Sequence, residues 1–228
     1  MCLAGHLNWL LNVLPWGRPA LSELYRKMRG KLNLMSGVYI NREVTINLTW
    51  LRNVIPRSIG VRFVDSLHWS DDDADMVVWT DASLIGLGCY YASNALVYQL
   101  RPSPPEIKID IFFLELIAIL SAIFLVASLP NPPRRILIFS DSLDSVSVLN
   151  SLSASEALHT GPLLAIAEII LYSGLDLRVR HIPGVENVQA DMLSRLLLDD
   201  YRRQYPSDRV RILVPPCELL LVQWRECF

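Results

Sequence analysis

Four acidic residues occupy positions from which their carboxylates could act together. Asp81 follows the apolar run MVVWT and Asp141 follows RRILIFS, so each lies at the end of a predicted strand. Glu115 lies inside the apolar stretch FFLELIAIL, and Asp191 lies in the first turn of a predicted helix. A buried ionised carboxylate is costly unless it is paired or coordinates a metal. Glu115 in its apolar helix would therefore need either a cationic partner or a metal ion.

Each of these acids also has an ordinary interpretation. An aspartate at a strand end commonly serves as a turn or cap residue, which applies to Asp81 and Asp141 alike. Asp191 in the first turn of a helix would complement the helix dipole. Glu115 could pair with an arginine or lie at the rim of the core. A shared function of the four acids therefore depends on their combination and on the sequences around them.

The elements that must position these acids begin at about Asp75. Short β-rich runs at 76–83, 86–91 and 95–100, separated by turn-length gaps, predict an antiparallel meander. The apolar helix that carries Glu115 follows. The next strand, 134–142, is continuously apolar, as a central strand buried on both faces should be.

Helices are then predicted at about 143–152 and 161–173, followed by a strand at 175–182 and a last helix at about 187–198. The order βββαβαβα predicts an α/β fold with a five-stranded mixed sheet, three antiparallel strands and then parallel ones, and helices on both faces. If the strands that end at Asp81 and Asp141 are parallel neighbours, both carboxylates leave the sheet at the same end.

The remainder of the chain predicts two appendages. Residues 1–74 show helical spacing broken by prolines, with one helix over 41–55 that ends before Pro56, and they form a predicted helical module. The acidic run at 70–75 marks its boundary with a predicted domain at 75–198. Residues 199–228 are predicted to be a tail or linker.

Composition excludes several classes of protein. The chain has 228 residues, of which 52% are hydrophobic and 19% charged, so it is not a disordered segment. Its four cysteines have no short metal-type spacing, and an intracellular, reducing setting is expected. The net charge of −2 by itself gives no sign of a nucleic-acid partner.

A membrane or secreted protein is not expected either. The apolar stretch 109–129 is long enough to span a bilayer, but it contains Asp110 and Glu115. A carboxylate near the centre of a span costs ~2.5–3.5 kcal/mol. The residues between Glu115 and Pro130 match the length of a core helix. The N-terminus has no basic region followed by an apolar run, which argues against a secretion signal.

The sequences around the four acids resemble the ribonuclease H domain of retroelement reverse transcriptases. TDAS followed by GLG, LELIAIL and FSDSLDSV resemble the family's first strand and turn, its glutamate helix and its second aspartate strand. HIPGVENVQADMLSR is similar to the more specific signature HxPGxxNxxADxLSR of retrotransposons. The similarity covers about 75–198, and GHLNWLLNVLPWGRPALSELYRKM resembles the segment between polymerase thumb and ribonuclease H in fungal retroelements. No YxDD-type polymerase motif occurs.

The resemblance implies a Mg²⁺-dependent endonuclease that hydrolyses the RNA strand of RNA–DNA hybrids. In that family pattern Asp81 would bridge two Mg²⁺ ions, or Mn²⁺ ions, about 3.5–4 Å apart. Glu115 and Asp141 would hold one ion and Asp191 the other. His181, ten residues before Asp191, would transfer a proton to the leaving group or help to release product; an ordinary strand-end histidine is the alternative.

Ser83, Ser142, Arg178 and Arg180 are the candidate nucleic-acid-binding residues. Hydroxyl groups near the acids could meet 2′-hydroxyls, and the alternating arginines could reach phosphate. Turn serines and a solvated strand face are the ordinary interpretations. The expected partners are an RNA–DNA hybrid and the polymerase domain of the same polyprotein, with no membrane and no small-molecule cofactor.

Two other functions stay open at this point. The chain could be a catalytically inactive ribonuclease H-like remnant with a structural or nucleic-acid-binding role. It could also be a different nuclease or an integrase on the same fold, although those enzymes typically use three acids.

Overall fold

A mixed six-stranded β-sheet forms the centre of the fold. The computed structural model of the chain describes residues 2–31, 37–59, 69–101 and 109–219. In chain order the strands are β1 (Met76–Ala82), β2 (Gly86–Tyr91), β3 (Asn94–Gln99), β4 (Arg135–Ser140), β5 (Asp176–His181) and β6 (Arg209–Leu213). Their order across the sheet is β5-β4-β1-β2-β3-β6. The pairs β1–β2 and β2–β3 are antiparallel, and β1–β4, β4–β5 and β3–β6 are parallel.

The predicted mixed α/β class is confirmed, whereas the predicted count of five strands is wrong. The sixth strand, β6, comes from the segment predicted as a tail, and it pairs with β3 from Asn94↔Arg209 to Tyr98↔Leu213. Its sequence RVRIL is short and alternates charged with apolar residues, as is typical of an exposed edge strand. Such a segment gives a weak strand signal until its neighbour in the sheet is known.

The described part of the chain contains eight α-helices. They are α1 (Cys2–Leu10), α2 (Ser22–Met28), α3 (Arg42–Val54), α4 (Ile111–Ala127), α5 (Leu143–Ser151), α6 (Ala157–Ser173), α7 (Val188–Ser194) and α8 (Leu198–Gln204). Helices α4 and α6 pack on one face of the sheet, and α7 and α8 pack on the other. None of the helices within the described ranges has the length and apolar character needed to cross a bilayer.

Two predicted helix boundaries were wrong. Helix α6 begins at Ala157, four residues before the predicted start, so that Pro162 lies in its second turn. The predicted helix at 187–198 is divided into α7 and α8, since Leu196 adopts a positive φ of 58° between them. Positive φ breaks a right-handed helix, so α7 contributes only seven residues.

Helix α4 is the central helix of the core and carries Glu115. Its N-cap is Asp110, whose side chain accepts a hydrogen bond of 2.7 Å from the Phe113 backbone. Apolar side chains cover nearly every side of the helix, and most of them are buried. Glu115 is therefore held at a fixed place among buried neighbours, with 6% of its surface exposed.

The N-terminal helices pack on α6, on the side away from the sheet. A buried cluster joins residues from the first part of the chain, including Leu21, Trp50 and Leu51, to Leu164 and Leu171 of α6. The indole of Trp50 also donates a 2.8 Å hydrogen bond to Glu168. The division of the chain at 74/75 and 198/199 stays a prediction.

We expect Leu51→Ala to lower the free energy of unfolding of the whole chain by about 2–5 kcal/mol, the usual cost of this truncation in a core. Leu51 is 2% exposed at the contact between α3 and α6. Denaturant unfolding measures the change. Leu3→Ala is the matched control, because Leu3 is 60% exposed, and its effect should stay within about 0.5 kcal/mol. Equal effects of the two substitutions would contradict the prediction.

Candidate metal centre

Three carboxylates meet at one edge of the sheet. Asp81 lies in β1, and Asp141 directly follows β4, which runs parallel to β1 with Thr80 opposite Ser140. Glu115 approaches from α4, which packs against β1. One carboxylate oxygen from each of the three residues lies within 4.8 Å of the other two. We call these residues the carboxylate cluster.

The electrostatics of the cluster oppose ionisation. Burial, together with the charges of the nearby Asp81 and Asp141, raises the pKa of Glu115 to about 9, although a backbone hydrogen bond from Ala82 acts to lower it. Burial also raises the pKa of Asp81 to about 7, where the Ser194 hydroxyl acts in the opposite direction. Carboxylates that converge in a desolvated place hold protons unless a cation replaces them.

The cluster fits a divalent metal ion. Glu115 Oε2 is buried and has no hydrogen-bond partner among the described residues, which leaves a strong acceptor unsatisfied in the core. Carboxylate oxygens are the ligands that Mg²⁺ and Mn²⁺ prefer. A cation at this place would satisfy Glu115 Oε2 and offset the repulsion between the three acids.

Asp191 lies beside the cluster on α7 but is not one of the residues within 4.8 Å of one another. Its Oδ1 accepts a 2.6 Å hydrogen bond from Arg195 Nε one turn further along the helix. Its charge contributes to the raised pKa of Asp81, which places it in electrostatic range of the cluster. The structure therefore brings three of the four predicted acids together and leaves the fourth next to them, paired with an arginine.

Two glycines of β2 allow α7 to lie directly on the sheet. A Cβ at Gly88 would be 2.2 Å from the Ala190 carbonyl oxygen and 2.7 Å from the Ser194 nitrogen. A Cβ at Gly86 would be 2.6 Å from the Ser194 carbonyl oxygen. Real Cβ atoms do not approach backbone this closely, so the GLG sequence is what admits the helix. Gly88 is also opposite Asp81 in the β1–β2 register.

Polar contacts hold both ends of α7 against β1 and the turn that follows it. The Asn187 amide donates a buried 2.9 Å hydrogen bond to the Thr80 carbonyl, and the Ser83 hydroxyl donates 2.7 Å to the Ser194 carbonyl. The Ser194 hydroxyl donates to Asp81 Oδ2. Ser194 was not among the predicted site residues, although it lies inside the NVQADMLSR motif, because no local pattern shows which side chain a serine contacts.

His181 is the last residue of β5, opposite Ser140 in the parallel register with β4. It is exposed, and the loop after it runs along Asp141, since a Cβ at Gly184 would lie 3.0 Å from Asp141 Oδ2. His181 is thus on a strand that borders the one preceding Asp141. Its role in proton transfer stays a prediction.

The two candidate serines have structural partners of their own. Besides its bond to α7, the Ser83 hydroxyl accepts hydrogen bonds from the Ile85 and Gly86 nitrogens in the turn between β1 and β2. Ser142 is the N-cap of α5, and its hydroxyl is 2.9 Å from that of Ser145. Nucleic-acid binding by these serines stays a prediction.

The two candidate arginines extend toward the acidic turn before β1. Arg180 Nε is 3.2 Å from Asp71 Oδ2, and Arg178 Nη1 is 4.0 Å from Asp71 Oδ1. The Arg178 guanidinium also lies 4.2 Å from the centre of the Trp69 ring. Both side chains are therefore engaged within the chain, and phosphate binding by them stays a prediction.

A second group of residues with side chains that can bind a metal lies at the N-termini of α4 and α6. Asp110, Glu156 and His159 each place a ligand atom within 4.8 Å of the others. His159 Nε2 is 3.0 and 3.1 Å from the two Asp110 oxygens. The sequence did not predict this group, because its members are separated along the chain and Asp110 already has a role as N-cap.

Comparison with known proteins gives no match to a protein-family model and no match to a curated protein. Several solved structures are similar, among them two RNase H1 proteins and a viral protease-reverse transcriptase. RNase H1 from the halophilic archaeon Halobacterium salinarum NRC-1 has 17% identity and a TM-score of 0.43, over 55% of this chain and 98% of that chain. LC11-RNase H1, isolated from compost by a metagenomic approach, has 18% identity and a TM-score of 0.41, over 55% of this chain and 96% of that chain. Prototype foamy virus protease-reverse transcriptase has 15% identity and a TM-score of 0.41, over 59% of this chain and 22% of that one.

Proposed function

We propose that this chain is a divalent-metal-dependent endonuclease that hydrolyses the RNA strand of RNA–DNA hybrids, as the ribonuclease H domain of a retroelement reverse transcriptase. The observation that carries the proposal is the carboxylate cluster, with Glu115 Oε2 buried and unsatisfied among the described residues. The motif resemblance around the same acids supports the choice of substrate. The similarity of the N-terminal segment to a polymerase connection supports the retroelement context.

In this proposal Asp81, Glu115 and Asp141 hold Mg²⁺ or Mn²⁺, and Asp191 contributes to a second ion. When bound, such ions activate the attacking water and stabilise the departing 3′ oxygen. The chain's own contribution is geometric, because β1, β4 and α4 fix three carboxylates before substrate arrives. Asp191 becomes available when its contact with Arg195 opens, which costs little because exposed ion pairs are worth about 0–1 kcal/mol.

His181 would handle the proton that the leaving group needs. Imidazole is the side chain best suited to accept and release protons at neutral pH. The exposed position of His181 at the end of β5 keeps it accessible to solvent and substrate. Such a group contributes typically about 10²–10⁴-fold to a rate when it is correctly placed.

The same proposal assigns the nucleic-acid contacts to two serines and two arginines. Ser83 and Ser142 flank the cluster in sequence, and hydroxyls at these places could meet the 2′-hydroxyls of the RNA strand. Arg178 and Arg180 would exchange their contacts with Asp71 for phosphate oxygens. Arginine binds both kinds of oxygen with the same geometry, so the exchange requires no change in its chemistry.

Cleavage of an end-labelled RNA–DNA hybrid by the full chain tests the proposal. We expect Mg²⁺-dependent cutting of the RNA strand that EDTA abolishes and that Asp141→Asn reduces by about 100-fold or more. The matched control is Asp144→Asn, which removes an exposed carboxylate of α5 only three residues away and should leave the rate unchanged.

Two outcomes would contradict the proposal. Background cleavage that is the same for the wild type and Asp141→Asn would indicate a non-catalytic ribonuclease H-like module. Equal cleavage of the hybrid and of duplex DNA would indicate a different nuclease on the same fold.

A further inference from the structure

The buried contact between Ser194 and Asp81 joins residues 113 positions apart in the chain. Ser194 is fully buried and Asp81 is 5% exposed, so neither group has ready access to bulk water. A hydrogen bond to a carboxylate in such surroundings is stronger than one between neutral groups. The contact therefore constrains the Asp81 side chain, which would otherwise rotate about two bonds.

The Ser194 hydroxyl has two acceptors within reach and one proton to donate. Its Oγ touches Asp81 Oδ2 and lies 2.9 Å from the Asp191 carbonyl oxygen in its own helix. The carboxylate is the stronger acceptor, so the proton goes to Asp81 whenever that group is ionised. One hydrogen bond occupies one of about four acceptor sites of the carboxylate, which leaves Asp81 able to bind a cation.

The attachment of α7 to the sheet does not depend on this contact. Ser83 and Asn187 hold the helix at its two ends, and the glycines of β2 let its backbone meet the sheet. In contrast, the Ser194 hydroxyl reaches a member of the carboxylate cluster directly. Its effect is thus directed at Asp81 more than at the position of α7.

We propose that Ser194 is a positioning residue of the carboxylate cluster, whose hydroxyl holds Asp81 in the orientation that binds a divalent metal together with Glu115 and Asp141. The inference rests on the metal-binding part of the proposed function. It assigns different roles to two consecutive residues, because Arg195 pairs with Asp191 at the surface and Ser194 holds Asp81 in the interior.

The role of Arg195 provides a contrast within the same turn. Its side chain is 62% exposed and neutralises Asp191 from the solvent side. A cation that binds near Asp191 must compete with Arg195, whereas a cation that binds Asp81 is helped by Ser194. Removal of the Ser194 hydroxyl should therefore weaken metal binding, whereas removal of the Arg195 side chain should not.

Metal affinity measured on the full chain tests the role of Ser194. Mn²⁺ binding is followed by titration with electron paramagnetic resonance, and Mg²⁺ affinity is obtained by competition. We expect Ser194→Ala to weaken the tightest Mn²⁺ site by about 10–100-fold, the usual effect of removing a group that orients a ligand. Ser194→Thr, which keeps the hydroxyl, should recover most of the affinity, and Arg195→Ala should not weaken it.

Ser121→Ala is the matched control, because Ser121 is also fully buried but its hydroxyl has no hydrogen-bond partner among the described residues. It should leave Mn²⁺ affinity unchanged. Wild-type Mn²⁺ affinity in Ser194→Ala would overturn the inference, and so would an equal loss in the alanine and threonine variants when Ser194→Thr melts at the wild-type temperature. If threonine does not fit, a double-mutant cycle with Asp81→Asn decides: Ser194→Ala must lower the melting temperature less in the Asp81→Asn background.

Hybrid cleavage is measured separately on the same samples. A wild-type chain that binds Mn²⁺ but does not cut would refute the proposed nuclease and leave the role of Ser194 in place. A wild-type chain that binds and cuts, with Ser194→Ala binding equally tightly, would refute only the role of Ser194.

Discussion

Glu115→Gln is expected to stabilise the metal-free chain while abolishing its metal-dependent cleavage. Burial and two neighbouring acids raise the pKa of Glu115 to about 9, so folding at neutral pH requires this group to take up a proton. Glutamine has nearly the same shape and needs no proton. We expect the substitution to add about 2–4 kcal/mol at pH 7.5, or roughly 5–15 °C in melting temperature.

The raised pKa of Glu115 determines whether the stability of the wild type rises or falls with pH. The folded state binds the Glu115 proton more tightly than the unfolded state, whose pKa is near 4.5. Wild-type stability therefore falls as the pH rises from about 4.5 toward about 9, and the raised pKa of Asp81 adds to the fall up to about 7. The advantage of Glu115→Gln should be absent near pH 4 and should grow up to about pH 9.

Thermal melts at about pH 4, 6 and 8, with EDTA or with Mg²⁺, measure the change in stability, and cleavage of the labelled hybrid measures the loss of activity. Mg²⁺ should raise the melting temperature of the wild type and leave that of Glu115→Gln nearly unchanged, because binding to the folded state stabilises it. Glu23→Gln is the matched control: Glu23 is 5% exposed but has Arg26 and Lys27 as partners. The same substitution there should lower stability, and a destabilised Glu115→Gln at about pH 8 would contradict the prediction.

Gly88→Ala is expected to separate α7 from the sheet and to damage the metal centre at the same time. The new Cβ would lie 2.2 Å from the Ala190 carbonyl oxygen and 2.7 Å from the Ser194 nitrogen. Both atoms belong to the backbone, so the whole helix must move. Overpacking of this kind costs about 1–3 kcal/mol, which lowers the melting temperature by roughly 3–10 °C.

The displacement should also weaken Mn²⁺ binding, because α7 carries both Asp191 and the hydroxyl that holds Asp81. Gly5→Ala is the control for the loss of backbone freedom: Gly5 lies in α1, and a methyl group added there would have no described atom within 4 Å. Alanine there should raise stability by about 0.5–1 kcal/mol. If Gly88→Ala melts at the wild-type temperature, the close approach of α7 to β2 is not rigid.

Local sequence patterns were sufficient to predict the elements that carry the acids. Asp81 and Asp141 follow apolar runs of strand length, and Glu115 lies in a run too long and too apolar for a surface helix. These properties depend on neighbouring residues alone, and from them the order of strands and helices from β1 to α7 was predicted. The sixth strand was missed because RVRIL has little strand signal without β3 beside it.

The surroundings of the site depended on contacts between distant parts of the chain. Arg178 and Arg180 alternate on a strand in the sequence, but only the fold brings Asp71 within reach of both. Similarly, Asp191 was predicted as an equal member of the acid set, and the folded chain pairs it with Arg195 outside the carboxylate cluster.

The residues that could form a metal centre, and the elements that carry them, were predictable from the sequence, because hydrophobic periodicity and the cost of burying a carboxylate are local properties. Which of these acids meet, and which contacts hold them, became visible in the folded chain. The register of β1 with β4 brings Asp81 near Asp141, and the packing of α7 on Gly88 delivers the Ser194 hydroxyl to Asp81. Such contacts arise from the relative placement of whole elements, which no short stretch of sequence encodes.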